Sequence, residues 1–256
     1  MIDSHAVVAS RAQLGEGVTG GPFAVIGPDV VIGARTTVGA HAVIEGPTRI
    51  GEDNQIFPFA AIGGAPQDKK YKGEPTQLTI GDRNVFREFC TMNRGTASGR
   101  GLTSIGSDGL FMAYSHVAHD CDIGDKVILA NCATMGGHVQ IGDWVQLGGL
   151  SAIHQFCKIG AHAFVAGGAI LTRDLPPYIM IAGNPAKPNS INSEGLKRRG
   201  YTPEQIRNLR MAYRILYRSE LKLAEAIVRL TELARDNAEV QPLLAFIDAS
   251  TRSLVR

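Results

Sequence analysis

Histidine supplies the most suggestive chemistry in this chain. Four of its seven histidines, His116, His119, His138 and His154, fall within one short stretch, and Asp120 follows His119 directly. An imidazole beside a carboxylate is a ready proton acceptor, because the carboxylate holds one tautomer or favours the charged ring. Gly137 stands eighteen residues beyond His119, where a missing side chain leaves room for a ligand and exposes a backbone N–H. The set admits two readings: a metal site, or a base that removes a proton from a hydroxyl or amine nucleophile. Either one requires a fold that brings these residues together.

That fold is written in a six-residue beat. A branched or long apolar residue recurs at Ile2, Val8 and Leu14, lapses at Gly20, and returns at Ile26, Ile32, Val38, Ile44, Ile50, Ile56 and Ile62. It resumes at Ile80, Phe86 and Met92, then runs unbroken from Ile105 to Leu171. Six is a multiple of the strand period of two but not of the helical 3.6, so each hexad is a short strand plus a turn. Tandem hexads of this kind stack as a parallel β-helix, since one unit cannot bury its apolar face alone. Three hexads make a triangular coil, and about nine coils at roughly 4.8 Å give a prism on the order of 40 Å tall. The period leaves the hand of the helix open, and the aliphatic residues of the beat are structural.

Twelve extra residues lie between Ile62 and Ile80 and seven between Met92 and Ile105. Both inserts are rich in Gly and polar residues, which predicts loops at 63–78 and 94–104. With the loops excised, every third hexad falls on one side of the prism, and one column reads Ile62, Met92, Val117, Met135, Ile153 and Leu171. Both loops leave from this column, and the four histidines flank it. The same count places Asn93 one coil below Ala118, beside His119.

Composition bounds the rest. The 256 residues, 44% hydrophobic, suffice for one sizeable domain plus an appendage. Cys90, Cys121, Cys132 and Cys157 show no CxxC spacing, so neither a zinc ribbon nor a redox dithiol is indicated, and buried free thiols are expected. No apolar run approaches the roughly 18 residues of a membrane span, and the N-terminus lacks a signal pattern. A soluble, cytoplasmic protein is expected. The prism should occupy residues 1–190 and a helical domain residues 191–256. Thr202-Pro203-Glu204-Gln205 has the form of a helix N-terminus with a capping box. In the helix that follows, Arg207, Arg210, Arg214 and Arg218 form one basic stripe, which implies an acidic partner. The net charge of only +2 and the lack of an aromatic-basic groove pattern argue against nucleic acid.

With these motifs in place, the chain resembles the UDP-N-acetylglucosamine acyltransferases that begin lipid A synthesis. The resemblance covers essentially the whole length. It is carried by the stretch from Gln67 to Thr76, by His116-Val117-Ala118-His119-Asp120, Gly136-Gly137-His138 and Ile153-His154-Gln155-Phe156, and by the segment from Asn192 to Gly200. It implies a left-handed parallel β-helix with a C-terminal α-helical domain, assembled as a homotrimer with active sites between subunits. The implied reaction moves a 3-hydroxyacyl group from acyl carrier protein to the 3-hydroxyl of UDP-N-acetylglucosamine, with no metal or cofactor. Carried over, His119 is the general base, assisted by Asp120, and the Gly137 N–H stabilises the oxyanion. Gln67, Asp68, Lys70, His116, His138, His154 and Gln155 surround the substrates. Asn192, Glu194 and Arg199 match nucleotide-contacting positions. Arg198, Arg199 and Arg210 match positions linked to the carrier protein, and Arg198 is counted with the substrate contacts too. Gly167 matches the position where a side chain would cap the acyl tunnel, so a longer acyl chain is favoured.

One departure matters. The family usually reads His-Arg-Gly-Thr at the entry to the second loop, and this chain reads Asn93-Arg94-Gly95-Thr96. Asn cannot carry an imidazolium charge, which keeps open a UDP sugar bearing a 3-amino group as acceptor and an amide as product. Two further alternatives are a zinc carbonic anhydrase of the β-helix type and a non-catalytic β-helical scaffold that binds carrier protein without turnover.

Overall fold

The computed structural model describes residues 1–256. Most hexads form a two- or three-residue strand followed by a turn, and the strands stack in parallel as three faces of a prism. The first face has nine strands, from Val7–Val8 to Ile170–Leu171, the second eight, from Gln13–Leu14 to Lys158–Ile159, and the third ten. The architecture is a left-handed parallel β-helix.

The predicted column is the first face. Ile62 pairs with Met92, Met92 with Val117, Val117 with Met135, Met135 with Ile153, and Ile153 with Leu171. The strands run further into both inserts than the hexad count indicates. Ala61–Gly64 and Gln77–Ile80 bracket the first excursion, and Thr91–Asn93 and Leu102–Ile105 the second. Each excursion leaves the first face and rejoins the second, so both loops emerge at the corner between those faces.

Inside, the beat residues are buried from Ile26 upward, with Phe86 stacked on Phe111 at 4.7 Å. Val8 is exposed and Ile2 and Leu14 are only half-buried, because the lowest coil has nothing beneath it. A second inward row, two positions before the first-face beat residues, has no counterpart in the sequence reading: Ala24, Ala42, Ala60, Cys90, Ser115, Ala133, Ser151 and Ala169 sit fully buried where that corner leaves space for small side chains. Cys90 lies in this row, Cys121 and Cys157 hold the equivalent inward positions before second-face strands, and all three are buried free thiols, whereas Cys132 sits at a turn and is half-buried.

Nineteen non-glycine residues at these turns adopt positive φ, between 55° and 70°. That conformation costs about 1–2 kcal/mol for an ordinary residue, and stacking between coils offsets it. His5, Phe23, His41, Phe59, Phe89 and Tyr114 form one continuous ladder of rings with centroids 4.9–5.5 Å apart. Asp120, His138 and Phe156 belong to the same class of turn residue on the corner that carries the loops.

The third face ends in an antiparallel pair, Ile179–Ala182 with Lys187–Ile191, which reverses the chain into the helices. These are α1 (Ser193–Arg198), α2 (Pro203–Tyr217), α3 (Leu223–Asp236) and α4 (Gln241–Ala249). The capping box opens α2: Thr202 Oγ1 accepts from Gln205 N at 3.2 Å, and Gln205 Oε1 accepts from Thr202 N at 2.9 Å. The C-terminal tail returns to the prism at buried Asp174, whose carboxylate accepts from Lys158 N and Ser250 Oγ and whose carbonyl accepts from Val255 N. No helix is long and apolar enough to cross a membrane.

Candidate active site

The corner between the first and second faces brings His119, Asp120, Gly137 and His138 together on adjacent coils. His119 Nδ1 lies 2.8 Å from Asp120 Oδ2; its side chain is 16% exposed and that of Asp120 is 0%. A buried carboxylate accepting from Nδ1–H fixes the tautomer in which Nε2 carries the free lone pair. Burial alone would raise the Asp120 carboxyl, but hydrogen bonds from Thr96 and His119 outweigh it and hold the group below the ordinary carboxylate range. The His119 ring lies against Gly137: a methyl group there would sit 2.5 Å from Cε1 and 2.7 Å from Nε2. Gly137 is buried and its N–H makes no hydrogen bond within the chain.

The neighbouring histidines are held by ring stacking and hydrogen bonds. His138 stacks on Phe156 at 4.4 Å and meets His119 edge-on at 5.1 Å. Burial lowers its pKa despite the nearby Asp120, and the Asp68 carboxylate acts on it too, so the first loop reaches back to this corner. His116 Nδ1 lies 2.7 Å from Thr91 Oγ1, and burial lowers its pKa as well. His154, one coil above, is exposed with Nδ1 3.0 Å from the Gln155 carbonyl oxygen, and the Gln155 side chain is also exposed. On the first loop, Gln67 and Lys70 are exposed, and Asp68 Oδ1 accepts from Lys70 N at 2.9 Å.

Asn93, expected beside His119, turns its side chain to the base of the first loop. Its Nδ2 donates to the Ala65 carbonyl at 3.1 Å and sits 3.4 Å from that of Gly64, while Oδ1 is sealed from solvent without a partner. The carboxamide anchors the base of the first loop, where Gly63 is an extra residue between the Ile62–Met92 and Gly64–Asn93 pairs and the Gly64 carbonyl also accepts from Arg94 N at 3.1 Å. The motive for an amine acceptor is correspondingly weakened.

A second group of expected residues lies elsewhere on the chain. Asn192, Glu194, Arg198 and Arg199 border a cavity of about 790 Å³ on the third face, together with Lys126 and Trp144. The Arg199 guanidinium lies 5.0 Å from the Trp144 ring centroid, and Lys126 Nζ lies 4.5 Å from it. Arg199 Nη1 is 3.2 Å from His162 Nδ1. Burial and the adjacent Arg199 push His162 down to about 4, so its neutral ring accepts this bond. The Asn192 side chain is engaged inside the fold: it caps α1 through Gly195 N at 3.1 Å and donates to the His162 carbonyl at 3.0 Å. Glu194 and Arg198 pair at 3.4 Å on the exposed surface. Arg210 borders a separate cavity of about 350 Å³ with Arg214, Arg218 and Tyr213. Gly167 sits exposed at the corner between the third and first faces, where an added side chain would meet the Gly149 carbonyl at 3.2 Å. The histidine corner and the third face lie on opposite sides of one prism, so a single chain does not join the two groups.

Residues that sequence reasoning missed close around Asp120. Thr96 donates to it through both backbone N–H and Oγ1, Gly101 N–H adds a further bond, and Thr103 Oγ1 accepts from its backbone N–H. Arg94 is buried and tethers the first loop, donating to the Gly63 carbonyl and, at 3.1 Å, to Tyr71 Oη. The one signal in the sequence is composition: the second insert is rich in Thr and Gly. His119, Asp120 and His138 offer three ligand atoms within 4.8 Å of one another. Asp120 is nevertheless already an acceptor for Thr96, Gly101 and His119, the pattern of a hydrogen-bond hub and not of a carboxylate with a lone pair open to an ion.

Comparison with known proteins agrees with this geometry. Residues 11–46 match the bacterial transferase hexapeptide family, and residues 174–255 match the family described as UDP-N-acetylglucosamine O-acyltransferase, domain 2. Acyl-(acyl-carrier-protein)-UDP-N-acetylglucosamine O-acyltransferases from Herminiimonas arsenicoxydans and Thiobacillus denitrificans are 52% and 53% identical, each aligned over 100% of this chain and 99% of its own. The solved UDP-N-acetylglucosamine acyltransferase of Francisella novicida superposes with a TM-score of 0.97 at 40% identity, over 100% of this chain and 94% of that one. The enzyme from Moraxella catarrhalis gives 0.97 at 42%, over 100% and 99%. Full-length identity at this level, on a shared coil register, means that the chain belongs to the UDP-N-acetylglucosamine O-acyltransferase family.

Proposed function

We propose that this chain transfers a 3-hydroxyacyl group from acyl carrier protein to the 3-hydroxyl of UDP-N-acetylglucosamine, the first step of lipid A biosynthesis, with His119 as general base. The observation that carries the mechanism is the buried Asp120 bonded to His119 Nδ1, with the Gly137 backbone against the same ring. Nε2 takes the proton of the sugar hydroxyl as its oxygen attacks the thioester carbonyl. The Gly137 N–H donates to the oxyanion that forms. Collapse of the tetrahedral intermediate breaks the carbon–sulfur bond, and the departing thiolate takes the proton from the imidazolium. A positioned base contributes about 10²–10⁴-fold and one oxyanion donor about 10²–10³-fold.

The uridine diphosphate is assigned to the third-face cavity, where Lys126 and Arg199 converge on Trp144. Because that cavity lies opposite the histidine corner, a complete site takes its two halves from neighbouring chains, which a closed homotrimer supplies. The exposed Arg210 and Arg214 of α2 and Arg218 at its C-terminal cap, with Arg198 and Arg199, form the docking surface for the acidic carrier protein, and the enzyme acts in the cytoplasm.

Incubating the protein with UDP-N-acetylglucosamine, its 3-amino analogue and a mixture of 3-hydroxyacyl carrier proteins tests this reading by product mass. An O-acylated UDP-N-acetylglucosamine as main product is expected. Absence of any acylated sugar overturns the reaction, and preference for the amine overturns the acceptor. The shared site is tested by mixing His119→Ala and Arg199→Ala chains. Random trimers regain activity at about a quarter of their interfaces if the halves come from different chains, and none if they come from one.

A further inference from the structure

The second loop is built around the catalytic carboxylate. Residues 94–101 leave the first face, turn over Asp120 and rejoin the second face. Thr96 lies at the centre of that turn, 2% exposed. Its carbonyl accepts from Gly99 N at 3.1 Å and from Gly101 N at 3.0 Å, which closes the loop on itself. Its N–H lies 3.1 Å from both carboxylate oxygens of Asp120, and its Oγ1 donates to Oδ2 at 2.6 Å, the same oxygen that accepts from His119 Nδ1. Gly101 N–H reaches Oδ1 at 3.1 Å. The glycines follow from this wrap: a methyl group at Gly99 would lie 2.5 Å from Asp120 Cγ, and Gly101 takes a φ of +69°.

A buried carboxylate offers about four lone-pair directions, and the donors that fill them fix its plane. A lone bond to His119 would leave Asp120 free to rotate, and the imidazole with it. The bonds from Thr96 and Gly101 remove that freedom, and they stabilise the ionised form that a buried acid would otherwise lose. Ser98 Oγ, 3.3 Å from Thr96 Oγ1, can accept or donate there, but it does not reach the carboxylate.

We propose that Thr96 is a positioning residue for the transfer reaction: it clamps the Asp120 carboxylate so that His119 is held in the tautomer and orientation that present Nε2 to the acceptor hydroxyl. This rests on the acyl transfer proposed above. Thr96 touches neither substrate nor reacting atoms, so its effect falls on the chemical step and not on substrate affinity.

Thr96→Val keeps the shape of the side chain and the backbone bond but removes the hydroxyl donor, and Thr96→Ser restores it. A hydrogen bond to a charged group corresponds to roughly 10- to 100-fold, so kcat of Thr96→Val is expected to fall by that factor while KM for the UDP sugar stays within about twofold. Thr96→Ser is expected to recover most of the rate, and the Asp120 carboxyl, followed by carbon-detected NMR, to titrate at higher pH in the Val variant than in the wild type. Wild-type kcat in Thr96→Val, an equal loss in the Ser variant, or a loss confined to KM overturns the proposal. If the wild-type protein acylates no sugar, the function is wrong, yet the NMR titration still decides whether Thr96 clamps the carboxylate.

Discussion

Gly137 and His119, on adjacent coils, are in direct contact, and the glycine is required by the histidine and not by the coil. The positions one coil below and one coil above Gly137 in the same register are His119 and Gln155, so the turn itself accepts a side chain. Only the imidazole occupies the space that a Cβ at Gly137 would take. Gly137→Ala is therefore expected to fold and assemble normally while losing about 10²-fold or more in kcat, as the base and the oxyanion donor are displaced together. Circular dichroism and size-exclusion profiles matching the wild type, beside steady-state rates, check this. An unchanged rate removes Gly137 from the site.

Arg94 joins the two loops. Its guanidinium, buried to 8% exposure, reaches the Gly63 carbonyl and Tyr71 Oη, with Glu45 at 3.7 Å. Replacing it with Met keeps the apolar stem and removes the tether. Arg94→Met should raise KM for the UDP sugar roughly tenfold, because Asp68 and Lys70 ride on the loosened segment. Trypsin should also cut faster at exposed Lys69, Lys70 and Lys72. Wild-type KM and an unchanged cleavage pattern would show that the first loop holds its place without Arg94.

The His162–Arg199 contact gives the cavity side a pH signature. His162 titrates at about 4 when folded and near 6.5 when unfolded, the lowering caused by burial first and Arg199 second. Between these values the unfolded chain binds a proton that the folded chain does not, so stability falls as pH drops from about 6.5 to 4 and levels off below. Asn accepts the positive φ of 63° at this position. Urea midpoints measured across that range should slope less for His162→Asn than for the wild type, and identical slopes would refute the assignment.

The prism was legible because a six-residue beat has one mechanical solution, and Ile62, Met92, Val117 and Met135 could be stacked by counting. Counting also gathered the histidines, since the register of a β-helix is a ruler. Four features lie outside it. Thr96 reaches Asp120 through a loop that has no period. Asn93 turns toward the loop base, where its Nδ2 donates to the Ala65 carbonyl beside a bulge at Gly63 that no residue type announces. Asn192 lines the third-face cavity, but nothing in the sequence announces that its side chain caps α1 and holds the His162 carbonyl while its backbone N–H donates to the Tyr178 carbonyl. The turn conformation of Phe23, Arg35 and Trp144 was hidden as well, because nothing in those residue types favours positive φ; stacking between coils imposes it.

The central claim is that His119 removes the proton from the acceptor hydroxyl. Its most direct test is the turnover of 3-hydroxyacyl carrier protein and UDP-N-acetylglucosamine by wild type and His119→Ala, with the product identified by mass and both proteins shown to assemble alike. An acylated UDP sugar is expected from the wild type, with a rate lower by about 10²–10⁴-fold in the variant. Wild-type turnover by His119→Ala would contradict it.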